Sequence, residues 1–459
     1  MPDARIEAEL AINGGPKAVP SFEGKGHPKI AVEEFLSLAG RFGFSKGTLE
    51  RLRAIVKAED IGEGPFLGHY YANLRKTCVQ AFEERACDVF DARYALGVSS
   101  GTGALHSAFV AAGCGPGTEV ICSAIGFYAT PAAVVQAKAV PVFCDVDESM
   151  AMDPAKIESL ITPRTVAIAP THVMGSVCDM RAIMRVARKH KLKVVEDCAQ
   201  SVGATFRGKS VGTFGDLGCF SISSYKTIGA GEGGLILTRT KRMWERANQF
   251  AESGGLWRPE RFAPPRYESE LFAGTNYRMS ELEAAVDVIQ LGRLATFVKR
   301  FRSSKRRILE QLPTYAEIAP QILNDPDGEV GYQIRFFPES FALGERVAAA
   351  LQAEGVGAGF RGRHGPPDWH IYSYMYPIIL QKSGYGRECV FDCPHYTRRG
   401  GKVAYARGDC PVADELFDRV VIIGLNRAFT AGDCRRIAKG ITKVLDAYCT
   451  RDPKARPWF

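Results

Sequence analysis

The sequence predicts an α/β fold: a large domain built on a mainly parallel, seven-stranded sheet, followed by a smaller α+β C-terminal domain. Two observations carry that expectation. Seven short β-rich runs recur between residues 95 and 238, with helical stretches between several of them. The chain is also 459 residues long, enough at about 150 residues per domain for two or three domains. The runs are ALGVS (95–99), EVICSA (119–124), PVFCDV (141–146), VAIAPT (166–171), KVVEDCA (193–199), GCFSIS (218–223) and GGLILT (233–238). Leu105 to Ala112 and Met180 to His190 read as helices between them.

Beyond the sheet a long helix starts near Ser280. Ser280 and Glu283 have the S-x-x-E spacing of a capping box. Leu282, Ala285, Val286 and Ile289 form its apolar stripe. In the C-terminal part, 345–357 reads as a helix stopped by glycine, 413–419 and 431–448 as further helices, and 419–425 as a strand. The expected organisation is an N-terminal arm with helices over 1–62, the large domain over 63–290 and the small domain over 291–459.

Composition excludes several classes. Hydrophobic residues make up 46% and charged residues 24%, as in ordinary soluble proteins. No apolar run of about 18 residues is present, so no membrane span is expected. The N-terminus carries acids and lacks the apolar core of a signal peptide. Cys122, Cys144, Cys198 and Cys219 lie inside apolar runs, the pattern of buried free thiols in a reducing compartment, and the expected location is cytoplasmic. Cys389, Cys393, His395 and Cys410 could be read as a metal cluster. Their spacing fits no standard zinc pattern, and no metal is expected. The net charge of +8 is not concentrated in a nucleic-acid-binding tail. The basic run 299–307 continues a helical pattern and reads as a solvated face.

Three segments fit one cofactor. SSGTGALHSAF (99–109) is a strand, a glycine-bearing turn and a helix start, where free backbone N–H groups and the helix dipole favour a phosphate. In VVEDCAQS (194–201) two acids follow two valines at a strand end. A carboxylate buried there needs a charged or hydrogen-bonding partner. A pyridinium N–H is such a partner and keeps an electron-accepting ring protonated. Asp197 takes that role; a helix-capping aspartate is the alternative. In CFSISSYKTIGAGEGG (219–234), Lys226 follows a strand and precedes glycines that leave room for a flat ligand. A Schiff-base lysine needs an unprotonated amine, which burial and nearby cations provide.

Together these segments resemble the DegT/DnrJ/EryC1/StrS sugar aminotransferase family, of the aspartate-aminotransferase fold (fold type I), over roughly residues 64 to 300. The motifs are SSGTGAL, DVDES…MDPAKIESLITPRTVAIAPTHVMG, VVEDCAQSVGATFRGKSVGTFGDLGCFS, the Lys226 segment and NYRMSELEAAV (276–286). The resemblance implies pyridoxal 5'-phosphate as cofactor. It implies that Lys226 bonds it and shuttles the proton, and that Asp197 pairs with the ring nitrogen. Gln200 would lie by the phenolic oxygen and Phe127 on the ring face. Thr102, Gly103 and Ser221 would hold the phosphate, with Asn276 reaching it across the interface of a homodimer with shared sites. His172, Trp369 and His370 are candidate substrate contacts, with a satisfied structural role the preferred reading for His172.

The turn reads GTG where many relatives have GTA, and the lysine segment SSYKTI departs from the commoner PTKNL. These features, 325–338 and the Trp369-His370 pair are similar to the branch that makes 8-amino-3,8-dideoxy-octulosonate. The longer N-terminal arm and RGRHGPPDWHIYSYMYP (361–377) are not. The expected activity moves an amino group from an amino acid, glutamate or glutamine, to a keto-sugar or related keto metabolite. A sugar dehydratase is one rival, and Lys226 argues against it, because the dehydratases of the family resemble a pattern with histidine there. The other is a non-catalytic regulatory protein that keeps the fold.

Overall fold

The structure, a computed structural model, describes residues 4–21, 30–59, 61, 64–65, 67, 76–254, 271–386 and 390–459. The chain forms two compact units, Met1–Gly68 and His69–Phe459. In the first, helices Val32–Gly40 and Lys46–Lys57 pack together, with Leu36 and Ala39 buried and Ser45 capping the second helix.

The second unit contains two sheets. Its larger sheet has seven strands: β1 (Tyr94–Val98), β2 (Glu119–Ser123), β3 (Val140–Cys144), β4 (Thr165–Ala169), β5 (Lys193–Asp197), β8 (Leu217–Ser221) and β9 (Gly234–Thr238), with a small hairpin of β6 (Thr205–Phe206) and β7 (Lys209–Ser210) between β5 and β8. The spatial order is β1-β9-β8-β5-β4-β2-β3. β9 alone runs against its neighbours; β8, β5, β4, β2 and β3 pair in parallel. This is the mainly parallel seven-stranded sheet that the β-rich runs predict. Its strands are apolar on both faces because helices cover both sides, and β2 and β9 are buried along their whole length. The carboxyl ends of β1, β2, β4, β5 and β8 therefore open on one edge, where ligands sit in such sheets.

The helix Glu281–Leu309 connects this sheet to a four-stranded antiparallel one. The smaller sheet has order β10-β11-β13-β12: β10 (Ile318–Pro320), β11 (Gln333–Pro338), β12 (Ala358–Phe360) and β13 (Val421–Gly424). Helices Phe341–Ala353 and Ala431–Tyr448 cover one side of it. No helix among the described residues is long and apolar enough to cross a membrane.

The long helix corrects two expectations. Its apolar stripe does not face the core: Leu282, Val286 and Ile289 are 46%, 38% and 57% exposed, and Ala285 is exposed as well. The buried face is instead Ala284, Asp287, Leu291, Leu294 and Val298. Apolar periodicity locates a face that avoids water, but not what covers it. Nor does Glu283 close a capping box. Ser280 Oγ accepts from Leu282 N at 3.3 Å, while Glu283 Oε1 is buried against Gly233, without a hydrogen-bond partner. Glu281 does the reaching instead, accepting from Cys78 N at 2.8 Å and Val79 N at 3.2 Å. The basic run 299–307 is only partly solvated. Lys305 is buried and paired with Glu329, and Arg302 donates to the carbonyls of Glu329 and Gly328.

Among the described residues, two acids on this helix, buried Asp287 and half-buried Glu283, have no cation partner. Neither oxygen of Asp287 has a partner, and burial pushes its carboxyl up to about 7. Burial, with Asp287 and Glu232 nearby, pushes Glu283 up to about 8. Both values lie above those of the unfolded chain, so the protonated acids favour folding at low pH. That advantage is complete only below about pH 4, where the unfolded carboxylates are protonated too, and it is lost progressively until pH has passed 7 to 8. Relative to wild type, the double variant Glu283→Gln/Asp287→Asn should gain melting temperature as pH rises, by about 2–5 °C more at pH 9 than at pH 5. Calorimetric scans at the two pH values check this; an equal shift at both would contradict neutral acids at this site.

Candidate active site

The carboxyl ends of β1, β5 and β8 bring the three sequence segments together. At β5, Asp197 is 3% exposed. Its Oδ1 accepts from Ala199 N at 3.0 Å, and Thr130 Oγ1 donates to Oδ2. The strand end itself is held by Asp197 N donating to Pro170 O and His172 N donating to Asp197 O, each at 2.9 Å. Two neutral donors on a nearly dry carboxylate leave capacity for a cationic partner. Thr130, in the GFYATP segment, was not legible as a site residue, because it reaches Asp197 only by tertiary contact.

Lys226 lies in the loop between β8 and β9 and lines a cavity of about 770 Å³. Burial lowers the pKa of its amine, while the charges of Asp197 and Glu232 act in the opposite sense. Gln200 lines the same cavity. Its Oε1 accepts from Met174 N at 2.8 Å, which leaves the amide NH₂ to offer, and its carbonyl accepts from Tyr332 OH at 2.8 Å.

At the end of β1, Ser100 caps the helix Gly101–Ala111, its Oγ accepting from Gly103 N at 3.0 Å. A Cβ on Gly101 would fall 2.7 Å from Ser221 Cβ, and one on Gly234 2.2 Å from Ser100 O. The start of this helix is thus pressed directly against β8 and β9. Thr102 is exposed, Ser221 is half-buried, and Gly103 lies beneath the Tyr277 ring. The Gly103 N–H is taken by Ser100, so Thr102 and Ser221 present the hydroxyls there. Asn276 is exposed. Its Oδ1 accepts from Arg278 N at 3.2 Å, and the next carbonyl, of Tyr277, accepts from Ser99 N at 2.7 Å.

Phe127 is exposed, and its segment is joined to the small-sheet side of the molecule by main-chain bonds. Gly126 N donates to His370 O and Tyr128 N to Trp369 O, each at 2.9 Å. The Phe127 and His370 rings lie 5.1 Å apart, and Tyr128 meets Trp369 edge-on at 4.8 Å. His370 lines the cavity together with Arg361 and Asp368. Asp368 Oδ1 accepts from both His370 N and Nδ1, at 2.9 and 2.8 Å, and this bonding holds its carboxyl below the usual range. Arg361 pairs with the buried Asp418 and stacks over Tyr374 at 4.5 Å. Arg361 and Asp368 escaped the sequence reading because both sit in an ordinary polar loop.

His172 is the site residue that the structure moves elsewhere. It is fully buried and is not part of the cavity wall. Cys178 N donates to Nδ1 at 3.2 Å, so Nε2 carries the proton and donates to Glu196 at 3.1 Å. A histidine with both nitrogens committed inside the fold has nothing to offer a substrate. The grouping of His172, Glu196 and Cys198 is the one metal-like cluster among the described residues. Its carboxylate is already saturated by the N–H groups of Gly212, Phe214 and Gly215. Of the alternative cluster, Cys389 lies outside the described residues, Cys393 and Cys410 are buried, and His395 is exposed.

This donor set fits pyridoxal phosphate. A helix N-terminus with adjacent hydroxyls suits a dianion, a buried carboxylate suits a ring N–H, and a desolvated amine suits a covalent link. The cradle is tight enough that any side chain at Gly101 would fill it.

Comparison with known proteins agrees. The family model of the DegT/DnrJ/EryC1/StrS aminotransferase family matches residues 73–361. The chain belongs to this family. It is a pyridoxal-phosphate-dependent aminotransferase. It is 34% identical to the UDP-N-acetyl-3-dehydro-alpha-D-glucosamine 3-aminotransferase of Acidithiobacillus ferrooxidans, over 80% of this chain and 88% of that one. It is 42% identical to the GDP-perosamine synthase of Caulobacter vibrioides, over 46% of this chain and 56% of that one. The aminotransferase of Psychrobacter cryohalolentis shares the fold with a TM-score of 0.66 and 26% identity, over 81% of this chain and 92% of that one. Membership does not assign individual residues. Asp197→Asn retains shape and the Thr130 contact but removes the charge, and turnover should fall about 100-fold or more with cofactor still bound. Stopped-flow absorbance checks this; near-normal turnover would remove Asp197 from the chemistry.

Proposed function

We propose that this aminotransferase transfers an amino group from glutamate or glutamine to a ketone on a polyhydroxylated ring, a keto-sugar or a close relative. The placement of the Lys226 amine in the same cavity as Gln200, within reach of the charge of buried Asp197, is the observation that carries the reading. The polar wall of Gln200, Gln333, Arg361, Asp368 and His370 supports a hydroxyl-rich acceptor, and Phe301 and Phe360 give it apolar faces. Relatives named for amino-sugar synthesis support the same class.

The bound cofactor supplies an electron-accepting ring next to the reacting carbon. The chain does the rest. Lys226 Nζ would hold the cofactor and, once free, would take the proton from the donor α-carbon and return it on the other side of the transfer. Asp197 keeps the ring nitrogen protonated. Thr102 and Ser221, with the helix N-terminus, would hold the phosphate, and Gly103 would leave the turn room for it. Phe127 would cover one ring face, and Gln200 would donate toward the phenolic oxygen. Trp369 and His370 form the acceptor's side of the site. Two half-reactions on one site give ping-pong kinetics.

The functional form in this reading is a homodimer in the cytoplasm, where the buried thiols stay reduced. The stripe of Leu282, Val286 and Ile289 is too apolar to remain in water beside the site and is the partner-facing surface. Asn276, exposed at the base of the same helix, then faces the partner's phosphate.

Borohydride reduction of the loaded enzyme followed by peptide mapping should place the adduct on Lys226, and Lys226→Ala should carry none; an adduct on another lysine would sink the assignment. Donor and acceptor are read separately, from loss of cofactor absorbance with L-glutamate or L-glutamine and its recovery with each ketone. Ile289→Lys should shift the mass seen by light scattering from dimer to monomer and weaken cofactor retention. A fully active Ile289→Lys dimer would place the interface elsewhere.

A further inference from the structure

The loop that carries Lys226 is closed at its base by main-chain bonds. Ile222 N donates to Gly233 O at 2.9 Å, Ser224 N to Gly231 O at 3.0 Å, and Lys226 N to Ser223 O at 2.9 Å. Above them the loop has little of its own to hold it. Tyr225 is 98% exposed, and Ile228 is the buried anchor. One side chain grips the far side. Gln290, on the helix Glu281–Leu309, accepts from Gly229 N at 3.2 Å through Oε1 and donates from Nε2 to Gly229 O at 2.6 Å. Among the described residues, these are the only side-chain hydrogen bonds to residues 226–230. One carboxamide thus brackets both polar groups of a single residue, as a neighbouring strand would. Gly229 cannot be replaced there: a Cβ would lie 2.3 Å from Ser223 O and 2.5 Å from Ile222 O. The loop is therefore squeezed between its own base and Gln290, three residues beyond Lys226.

We propose that Gln290 is a positioning residue that sets the place of the Lys226 amine. The proposal rests on the reading that Lys226 carries the cofactor. A lysine that must form a bond and then move a proton between two fixed carbons tolerates little displacement; misplacement by about 1 Å lowers rate by about 100-fold. Among the described residues the main chain of Lys226 is tied only to Ser223, so the bracket at Gly229 decides how far the tip can drift. Desolvation of the amine depends on the same restraint, since a loop that swings outward returns the amine to water.

Gln290→Met tests this. Methionine keeps the length and apolar volume of glutamine but removes both hydrogen bonds, and Gln290→Glu retains an acceptor for Gly229 N. In the cofactor-free protein, hydrogen exchange across 222–233 should be about tenfold faster in Gln290→Met, as expected for loss of one or two hydrogen bonds, with exchange elsewhere and the melting temperature unchanged. In the loaded enzyme, kcat should fall about 10- to 100-fold while KM for the donor stays within about twofold, and Gln290→Glu should fall between Met and wild type. Wild-type kcat in Gln290→Met overturns the proposal whatever the exchange shows, as does a loss confined to KM. A wild-type enzyme that traps its cofactor on another lysine removes the underlying reading instead, and that outcome is read independently on unsubstituted protein.

Discussion

Much of this molecule follows from the position of one carboxylate. Asp197 closes a strand that runs through the middle of a sheet covered on both faces, so its charge stands where water cannot serve it. Such a group must be given hydrogen-bond donors or a cation. The chain supplies Thr130 and the Ala199 N–H, and the Lys226 loop across the neighbouring strand places an amine near enough to feel the charge. The parallel pairing of β5 with β8 makes this possible, because it puts both strand ends on one edge. Glu196, the preceding residue, points to the opposite face of the sheet, where it organises the 212–215 turn and His172. Two adjacent acids thus serve two separate purposes.

The helix Glu281–Leu309 performs several tasks through different faces. Its core face carries Leu291, Leu294 and Val298 into the large core. Glu283 and Gln290 face the Lys226 loop, one against Gly233 and the other around Gly229. Its exposed stripe of Leu282, Val286 and Ile289 looks away from both. A rigid helix that touches core, catalytic loop and an uncovered apolar surface within three turns is well suited to hold a loop that cannot hold itself. Burial raises the pKa of Glu283 and Asp287, which eases the close packing of the loop on this helix, with no counter-ion beside them among the described residues.

The acceptor side is built differently. The segments holding Phe127 and Tyr128, and Trp369 and His370, join by strand-like main-chain bonds. Residues far apart in sequence thereby become one wall, and Asp368 fixes the ring of His370 within it. Backbone pairing fixes the wall's position, while its side chains remain free to vary with the acceptor.

The sequence by itself determined the seven strands of the large sheet and the order of its chemistry, but only one strand, β13, of the small one. Alternating β-rich and helical runs reflect local burial, and the positions of Asp197, Gln200 and Lys226 follow from where strands end. The Gly101–Gly103 turn was legible for the same reason: it is a local strand-to-helix junction. What failed was whatever depends on what packs against a given face. The stripe at Leu282 was legible as apolar, but periodicity reports hydrophobicity and not its partner. For His172, at the end of β4, the sequence left a substrate contact open beside the preferred structural role, and only the packing turned its ring inward to Glu196. Thr130, Asp368, Arg361 and Gln290 gave no signal, since a single polar residue acquires its role only from the atom that it meets. Tertiary structure alone decided those pairings, because hydrogen bonds between distant segments depend on distances that no local pattern encodes.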